Sequence, residues 1–247
     1  MRLFFTAFQF LTIIPLPFRV TYKDGDMGRS MRWFPLVGLV LGALICGVDR
    51  LFGLILPQPL VAALLVAILA AVTGALHLDG LADVFDGFGA RGDRERFLAV
   101  MKDSSTGAIG AVALVLALLL KYEAIVSLPA ASRLGAIILF PAIARLSQVL
   151  MTVGSRRARS DGLGAHFVST AGNLEVFIAT LTLFAAAWFL SGVAGIIASL
   201  LVALFTGLSR WYFHHHLGGI TGDIIGCISE LGEIVALLAI ISCNGRF

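Results

Sequence analysis

Long apolar segments alternate with shorter polar ones along almost the whole chain. Seven segments are mostly apolar, near residues 34–56, 60–76, 107–126, 132–152, 176–190, 193–209 and 224–243. A helix needs about 20 apolar residues to cross the hydrocarbon core of a membrane. The whole stretch from 176 to 209 is too long for one crossing, and Ser191-Gly192 supplies a turn that divides it. The pattern predicts an all-α, polytopic integral membrane protein with about seven transmembrane helices, or six, in a single domain covering residues 1–247.

The composition also favours lipid as the solvent. Of 247 residues, 59% are hydrophobic and 13% are charged, with a mean hydropathy of +0.97, whereas a soluble domain carries about 25% charge. The net charge of +3 is modest, and we expect no nucleic-acid partner. Cys46, Cys227 and Cys243 are isolated in apolar segments, which predicts packed thiols and neither a disulfide nor a zinc site.

Basic residues are distributed unequally between two sets of loops. Thirteen Lys and Arg fall in the N-terminal segment and the longer loops: five in residues 1–33, four in 77–106, three in 153–175 and one in 210–223. The opposite side carries four. The positive-inside rule therefore places the N-terminus and the longer loops in the cytoplasm. The N-terminal MRLFFTAFQFLTIIPLP has no small-residue cleavage site, so we expect a retained helix at the membrane interface.

Three aspartates follow the end of the second apolar segment, in HLDGLADVFDG. On a helix, Asp79, Asp83 and Asp86 share a sector of about 60°. Ionised carboxylates so close together repel one another, and a divalent cation with oxygen ligands, Mg²⁺ or Mn²⁺, removes that cost. Gly80 and Gly87 would let a ligand approach the helix closely. The stretch predicts a metal site, and the alternative is a solvated acidic face just outside the membrane.

A second polar segment, MKDSSTGAIG, precedes the third apolar segment. Lys102, Ser104 and the backbone N–H groups near Gly107 would suit an anion at the start of a helix. Asp103 could join the metal. Asp and Ser before an apolar helix are also ordinary N-cap signals, so a structural role is equally supported.

A third polar segment, GGITGDIIGCISELGE, leads into the last apolar segment. Asp223 either caps the helix or faces the same way as Glu230 and Glu233. Glu230 and Glu233 fall inside an apolar run, where an ionisable group indicates a functional site by default. Arg145 is a lone guanidinium in another apolar segment. It either pairs with Glu230 or receives a phosphate in a bidentate contact.

Further candidates lie near these segments. His77 is close to Asp79 in sequence and is either a ligand, a hydrogen-bond partner or an ordinary interfacial histidine. Arg156, Arg157 and Arg159 are candidates for binding an anionic substrate, although arginines at such positions most often set membrane topology. Gly219 belongs to a flexible, glycine-rich turn.

Together these motifs resemble the cobalamin synthase family, also called adenosylcobinamide-GDP ribazoletransferase. The resemblance is carried by HLDGLADVFDG, MKDSSTGAIG, RRARSDGLGAHF and GGITGD with ELGE, in that order. It extends from FLTIIPLP and RWFPLVGLVLG to the final helix. One departure is Ile13, where the family pattern leads us to expect an arginine in a TRLP-like segment. This departure weakens any phosphate-binding role for the N-terminal segment.

The resemblance implies an enzyme of the bacterial cytoplasmic membrane, with its active site facing the cytoplasm. It would join adenosylcobinamide-GDP to α-ribazole or α-ribazole 5′-phosphate and release GMP, with magnesium. A metal would bridge the diphosphate oxygens, and Asp83 or Asp103 would take the hydroxyl proton. The expected metal ligands are Asp79, Asp83, Asp86, Asp223 and Glu230. The expected substrate-binding residues are His77, Lys102, Ser104, Arg145, Arg156, Arg157 and Gly219. The sequence leaves oligomerisation open.

Two other classes of membrane protein remain as alternatives. A CDP-alcohol phosphotransferase also uses aspartates on membrane helices, but its usual pattern has an Ala-Arg pair after the first DG, and Asp83 stands at the arginine position here. A cation-coupled transporter would have internal repeats and acids near the middle of the bilayer. This sequence shows no repeat and its acids crowd one face, which favours the enzyme.

Overall fold

All regular elements in the described part of the chain are helices. The computed structural model describes residues 1–90, 92–103, 105–159 and 163–244, and of residues 163–166 it describes the backbone alone. In chain order the elements are α1 (Arg2–Leu11), α2 (Asp26–Ser30), a 3-10 turn (Met31–Trp33), α3 (Phe34–Phe52), α4 (Gln58–Val72), α5 (Leu76–Gly89), α6 (Arg94–Val100), α7 (Ala108–Val126), α8 (Ala130–Thr152), α9 (Leu163–Thr170), α10 (Asn173–Leu217) and α11 (Gly222–Asn244). The predicted all-α fold is confirmed.

Several of these helices are suited to cross a membrane. Five segments of the described chain are long and apolar enough: Asp26–Phe52, Ala108–Val126, Ala130–Thr152, Asn173–Leu217 and Gly222–Asn244. A sixth is formed if α4 and α5, which meet at a bend of 90°, act as one broken span. The chain is therefore a multi-pass membrane protein, and the number of its crossings stays a prediction.

Helix α10 is broken near its middle. A straight helix of its 45 residues would be about 68 Å long, more than twice the thickness of a hydrocarbon core. Gly192 has φ 54° and ψ −134°, and a Cβ atom on Gly195 would lie 2.6 Å from the carbonyl oxygen of Ala187. Residues eight apart in a continuous helix are separated by about 12 Å. The chain therefore folds back at the turn that was predicted at Ser191-Gly192.

Helix α8 lies at the centre of the helix bundle, with α3, α10 and α11 packed around it. Close approach of α3 depends on small residues: a Cβ atom on Gly38 would lie 2.5 Å from the Cα of Ala142, and one on Gly42 would collide with the backbone of Ile138. Small residues spaced by four allow such contacts between membrane helices. The polar residues of α8, including Arg145, are buried against other helices.

Gly74 and Ala75 turn the chain between α4 and α5. Both residues are left-handed, with φ of 61° and 54°. For Ala75 this conformation costs roughly 1–2 kcal/mol, which surrounding contacts must offset. The resulting bend of 90° directs α5 onto α11, and the contact between these two helices brings the candidate site together.

Candidate active site

The backbones of α5 and α11 touch at Gly80. A Cβ atom at this position would lie 2.6 Å from the carbonyl oxygen of Asp223 and 2.9 Å from its Cα. The Asp83 carboxylate consequently comes within electrostatic range of Asp79, Asp86 and Asp223. Acids that are far apart in the sequence are thus neighbours in the fold.

The glycines of α5 have a different role from the one expected. Gly80 accommodates the α11 backbone, and a Cβ atom on Gly87 would lie 2.8 Å from the ring of Phe97. The expectation that these glycines leave room for a ligand is wrong, because other parts of the protein fill the space. Because these glycines have no side chains, α5 can pack closely against α11 and Phe97, and this packing fixes the position of the acids on α5.

The carboxylate of Asp86 is bound to the start of α7. One of its oxygens accepts a hydrogen bond of 2.7 Å from the Gly107 N–H, and the other accepts one of 2.8 Å from the Gly110 N–H. The helix N-terminus that was predicted to hold an anion therefore holds Asp86. With both oxygens engaged and a favourable helix dipole, this carboxylate is already stabilised without a metal.

A cavity of about 190 Å³ opens beside Asp79 and Asp223. Its apolar lining residues are Phe10, Met31, Phe34, Leu76, Phe167 and Ile225. Its polar lining residues are His77, Asp79, Gln148, Thr152, Arg159 and Asp223, and Gly222 and Gly226 complete the lining. The predicted residues His77, Asp79 and Asp223 thus share one cavity, and Asp83 lies within electrostatic range of two of them.

Arg159 is the cation at this cavity. Its Nη2 donates to an Asp223 oxygen at 2.7 Å. The other arginines predicted to bind substrate, Arg156 and Arg157, are exposed and do not line the cavity. The contact between their backbone and residues 219–220 brings Arg159 beside Asp223.

That backbone contact also explains Gly219. The Ile220 N–H donates to the Arg156 carbonyl at 2.9 Å, and the Ala158 N–H donates to the Ile220 carbonyl at 2.9 Å. A Cβ atom on Gly219 would lie 2.7 Å from backbone carbon atoms of Arg156 and Arg157. Gly219 is buried in this contact, so the structure gives it a packing role.

The segment before α7 is exposed. Asp103 accepts two hydrogen bonds from Ser105, of 3.0 Å from the backbone N–H and 2.6 Å from the hydroxyl. These bonds lower the pKa of the Asp103 carboxyl below its ordinary value, which makes it a weaker base. Neither Asp103 nor Lys102 lines the cavity, and Ser104 lies outside the described residues.

Four charged side chains lie buried between α7, α8 and α11, and we call Lys121, Arg145, Glu230 and Glu233 the buried charge cluster. Lys121 Nζ is 2.6 Å from Glu230 and 2.6 Å from Glu233. Arg145 Nη1 is 3.2 Å from Glu233 and donates to the Ser229 hydroxyl at 2.8 Å. The proposed pair between Arg145 and Glu230 is therefore replaced by one between Arg145 and Glu233. Glu230 faces a lysine, away from the aspartates.

A polar chain links this cluster to the cavity. The Gln148 amide nitrogen lies 2.9 Å from His77 Nε2 and 2.9 Å from the Ser229 hydroxyl. Ser229 in turn accepts from Arg145. The predicted substrate ligand Arg145 does not line the cavity, and its contact with that site runs through Ser229 and Gln148.

Comparison with known proteins identifies the family. The family model described as cobalamin-5-phosphate synthase matches residues 3–241. The chain belongs to this family. Its relatives include proteins named adenosylcobinamide-GDP ribazoletransferase from Geotalea daltonii, 55% identical over 100% of both chains, from Pseudomonas paraeruginosa, 41% identical over 95% of each, and from Syntrophobacter fumaroxidans, 37% identical over 96% of each. No solved structure is significantly similar to the chain.

Membership of the cobalamin-5-phosphate synthase family confirms the resemblance seen in the sequence. The chain is an enzyme, a membrane transferase of cobalamin biosynthesis. Sequence reasoning missed several residues at its cavity, namely Gln148, Thr152 and the phenylalanines. Gln148 carried a signal, because an amide three residues after Arg145 on an apolar helix shares its face.

The donor set of this site suits a hard cation. Asp79, Asp83 and Asp223 offer only carboxylate oxygens, which magnesium and manganese prefer, and among the described lining residues Arg159 is the one Lys or Arg that offsets their charge. In the described residues, no three His, Cys, Asp or Glu side chains are arranged closely enough to hold a metal ion. The chemistry of the donors fits a cation, and side-chain rotation would be needed to enclose it.

Proposed function

We propose that this chain joins adenosylcobinamide-GDP to α-ribazole, or to its 5′-phosphate, and releases GMP. The observation that carries the proposal is that Asp79 and Asp223 line a partly aromatic cavity and that Asp83 lies within electrostatic range of both. This arrangement suits a reaction between a charged diphosphate and a nucleoside. Its relatives bear the corresponding enzyme name.

The reaction transfers a phosphoryl group between two oxygens. A ribose hydroxyl oxygen of the acceptor forms a bond to the phosphorus that carries cobinamide, and the bond from that phosphorus to the GMP oxygen breaks. The hydroxyl proton passes to a carboxylate, for which we propose Asp83. Asp83 lies within electrostatic range of both Asp79 and Asp223, which places it beside the proposed cation site.

The acids also have a binding role. Asp79, Asp83 and Asp223 would hold Mg²⁺, with Mn²⁺ as a possible substitute. When bound, the cation supplies positive charge to the diphosphate oxygens and to the departing phosphate. Arg159 is the side chain that would contact a phosphate, because its guanidinium lies at the cavity beside Asp223. Asp86 and Glu230 are left out of this ligand set, because α7 and Lys121 already stabilise their charges.

The site would face the cytoplasm of a bacterial cell. The acidic stretch of α5, the arginines around residue 157 and the start of α11 all adjoin the loops that carry most of the basic residues. Positive loops remain on the cytoplasmic side of a membrane. Nucleotide substrates and GMP would then enter and leave from the cytoplasm.

The direct test is turnover by the purified full-length protein in detergent. With adenosylcobinamide-GDP, either acceptor form and Mg²⁺, we expect a cobalamin product and GMP in equal amounts. Exhaustive chelation should abolish turnover, and added Mg²⁺ should restore it. Unchanged turnover after chelation would remove the metal from the mechanism, and absence of product with both acceptors would refute the proposed function.

Substitutions test the acids one at a time. Asp79→Asn, Asp83→Asn and Asp223→Asn keep side-chain size while removing charge, and each should lower turnover by about 10²-fold or more, as losses at other electrostatic sites suggest. Asp24→Asn is the matched control, because Asp24 is exposed and does not line the cavity. Near-normal turnover in two of the three folded variants would favour a solvated acidic face.

A further inference from the structure

Part of the cavity lining consists of aromatic rings that have no role in the proposed phosphoryl transfer. The rings of Phe10 and Phe34 are stacked with centroids 6.0 Å apart. The Phe167 ring lies 4.6 Å from Phe10 and 5.8 Å from Phe34. All three side chains line the same cavity as Asp79 and Asp223. A flat aromatic ligand in this cavity could contact these rings and could also reach polar lining groups.

The size of the cavity limits what can enter. An apolar cavity of about 150 Å³ is large enough to bind benzene, and this one measures about 190 Å³. It therefore has room for a small fused ring system and none for a whole corrin. A purine such as guanine would also fit by size.

Among the described residues, His77 has one hydrogen-bond donor without a partner. The Gln148 NH₂ group can only donate, so His77 Nε2 accepts its hydrogen bond of 2.9 Å and the ring proton is on Nδ1. This Nδ1 is buried and has no hydrogen-bond partner in the part of the chain that the structure describes, while the side chain as a whole is 4% exposed and lines the cavity. A buried donor in this state favours a ligand with a matching acceptor.

We propose that the cavity binds the heteroaromatic base of the acceptor nucleoside. The base would lie against Phe10, Phe34 and Phe167, and His77 Nδ1–H would donate to its one free ring nitrogen. A benzimidazole-type base suits this environment because its remaining edges are carbon. The ribose would then extend toward Asp79, Asp83 and Asp223. This inference rests on the proposed function, since it names the place of that reaction's acceptor.

Binding of the acceptor alone tests the cavity. The full-length protein in lipid nanodiscs is dialysed against α-ribazole, or against the analogue in which a CH group replaces the free ring nitrogen. Loss of one hydrogen bond to His77 should weaken binding of the analogue about 10-fold. In His77→Phe the two ligands should bind equally. Retention of the 10-fold preference in this variant would overturn the role of His77.

A cavity-filling variant tests the location and leaves no void in the core. Ile225 lines the cavity and is half-buried, so Ile225→Phe places a ring where the base would lie. We expect α-ribazole to bind at least about 10-fold more weakly, with the KM for adenosylcobinamide-GDP unchanged. The matched control is Ile197→Phe on the exposed surface of α10, which should bind α-ribazole normally. Equal binding by both variants would overturn the proposal.

A third variant provides for the case in which His77→Phe fails to fold. Phe167→Leu keeps an apolar wall but removes a ring face, and stacking of a base on an aromatic side chain contributes about 1–3 kcal/mol. Both ligands should lose affinity by the same factor, about 5-fold or more, and unchanged affinity would refute the aromatic contact. Turnover of the unsubstituted enzyme distinguishes failure of the proposed reaction from failure of the proposed base-binding site. Absence of product refutes the reaction. Normal product together with unaltered ligand binding in the variants refutes only the assignment of the base to this cavity.

Discussion

Removal of the Glu233 carboxylate should destabilise the protein more than removal of the Arg145 guanidinium. Glu233 lies 3.2 Å from Arg145 and 2.6 Å from Lys121, so its carboxylate forms ion pairs with two cations. In Glu233→Gln, Arg145 keeps only the Ser229 hydroxyl among the contacts that the structure describes. A guanidinium cannot lose its proton, and an uncompensated buried charge costs about 3–5 kcal/mol. We expect a loss of about 4 kcal/mol.

The opposite substitution should cost less. In Arg145→Gln, Glu233 keeps Lys121 2.6 Å away as a cationic partner, so we expect a smaller loss, of about 2 kcal/mol. The double variant leaves one lysine and one glutamate, Lys121 and Glu230, 2.6 Å apart and balanced in charge. It should therefore be more stable than Glu233→Gln alone, although it carries one more substitution.

Equilibrium unfolding of the purified proteins in mixed detergent micelles measures these differences, combined as a double-mutant cycle. Glu123→Gln is the matched control, since Glu123 is on the same helix as Lys121 but exposed, and its effect should stay within about 0.5 kcal/mol. Two results would refute the reasoning: a loss in Glu233→Gln as small as that of the control, or a double variant whose loss equals the sum of the single losses.

Three further predictions concern the site and its orientation. Asp86→Asn should destabilise the start of α7 by about 1 kcal/mol while turnover changes less than 10-fold, and a loss of turnover as large as that of the cavity acids would restore Asp86 as a metal ligand. Gly80→Ala should separate α5 from α11, because its Cβ would lie 2.6 Å from the Asp223 carbonyl oxygen. We expect the free energy of unfolding to fall by about 1–3 kcal/mol and turnover to fall markedly, and an active, stable variant would contradict this contact. Topology reporters fused after Asp93 and Ala130 should lie on opposite sides of the membrane, and the same side for both would refute the assigned orientation.

Positions of the helices could be predicted because their apolar length is a local property of the sequence. The apolar segment 132–152 corresponds to α8, Ala130–Thr152, and the division at Ser191-Gly192 coincides with the break in α10. The candidate aspartates were recognisable for the same reason, since Asp79 and Asp83 interrupt an apolar pattern on one helical face. Both kinds of prediction require only neighbouring residues.

Partners of the buried charges could not be predicted in the same way. Helix α8 is buried along nearly its whole length, so no polar stripe shows which side of it meets which helix. Arg145 therefore pairs with Glu233 instead of Glu230 because of the rotation and depth of α11, which packing sets. The cap of α7 was missed for a related reason: Asp86, on an earlier helix, supplies it from a distance in the sequence.

The order of charges along the chain has a consequence for synthesis. Lys121 and Arg145 precede their acidic partners by 109 and 88 residues, and both acids arrive with the last helix. At translation rates of about 5–20 residues per second, the two cations wait roughly 4–22 s for Glu230 and Glu233. During this interval, α7 and α8 carry unpaired positive charges that oppose their settling at full depth in the bilayer. Arrival of α11 is therefore the step at which these charges gain their partners, and we expect a chain that ends before α11 to leave Lys121 and Arg145 without these carboxylates.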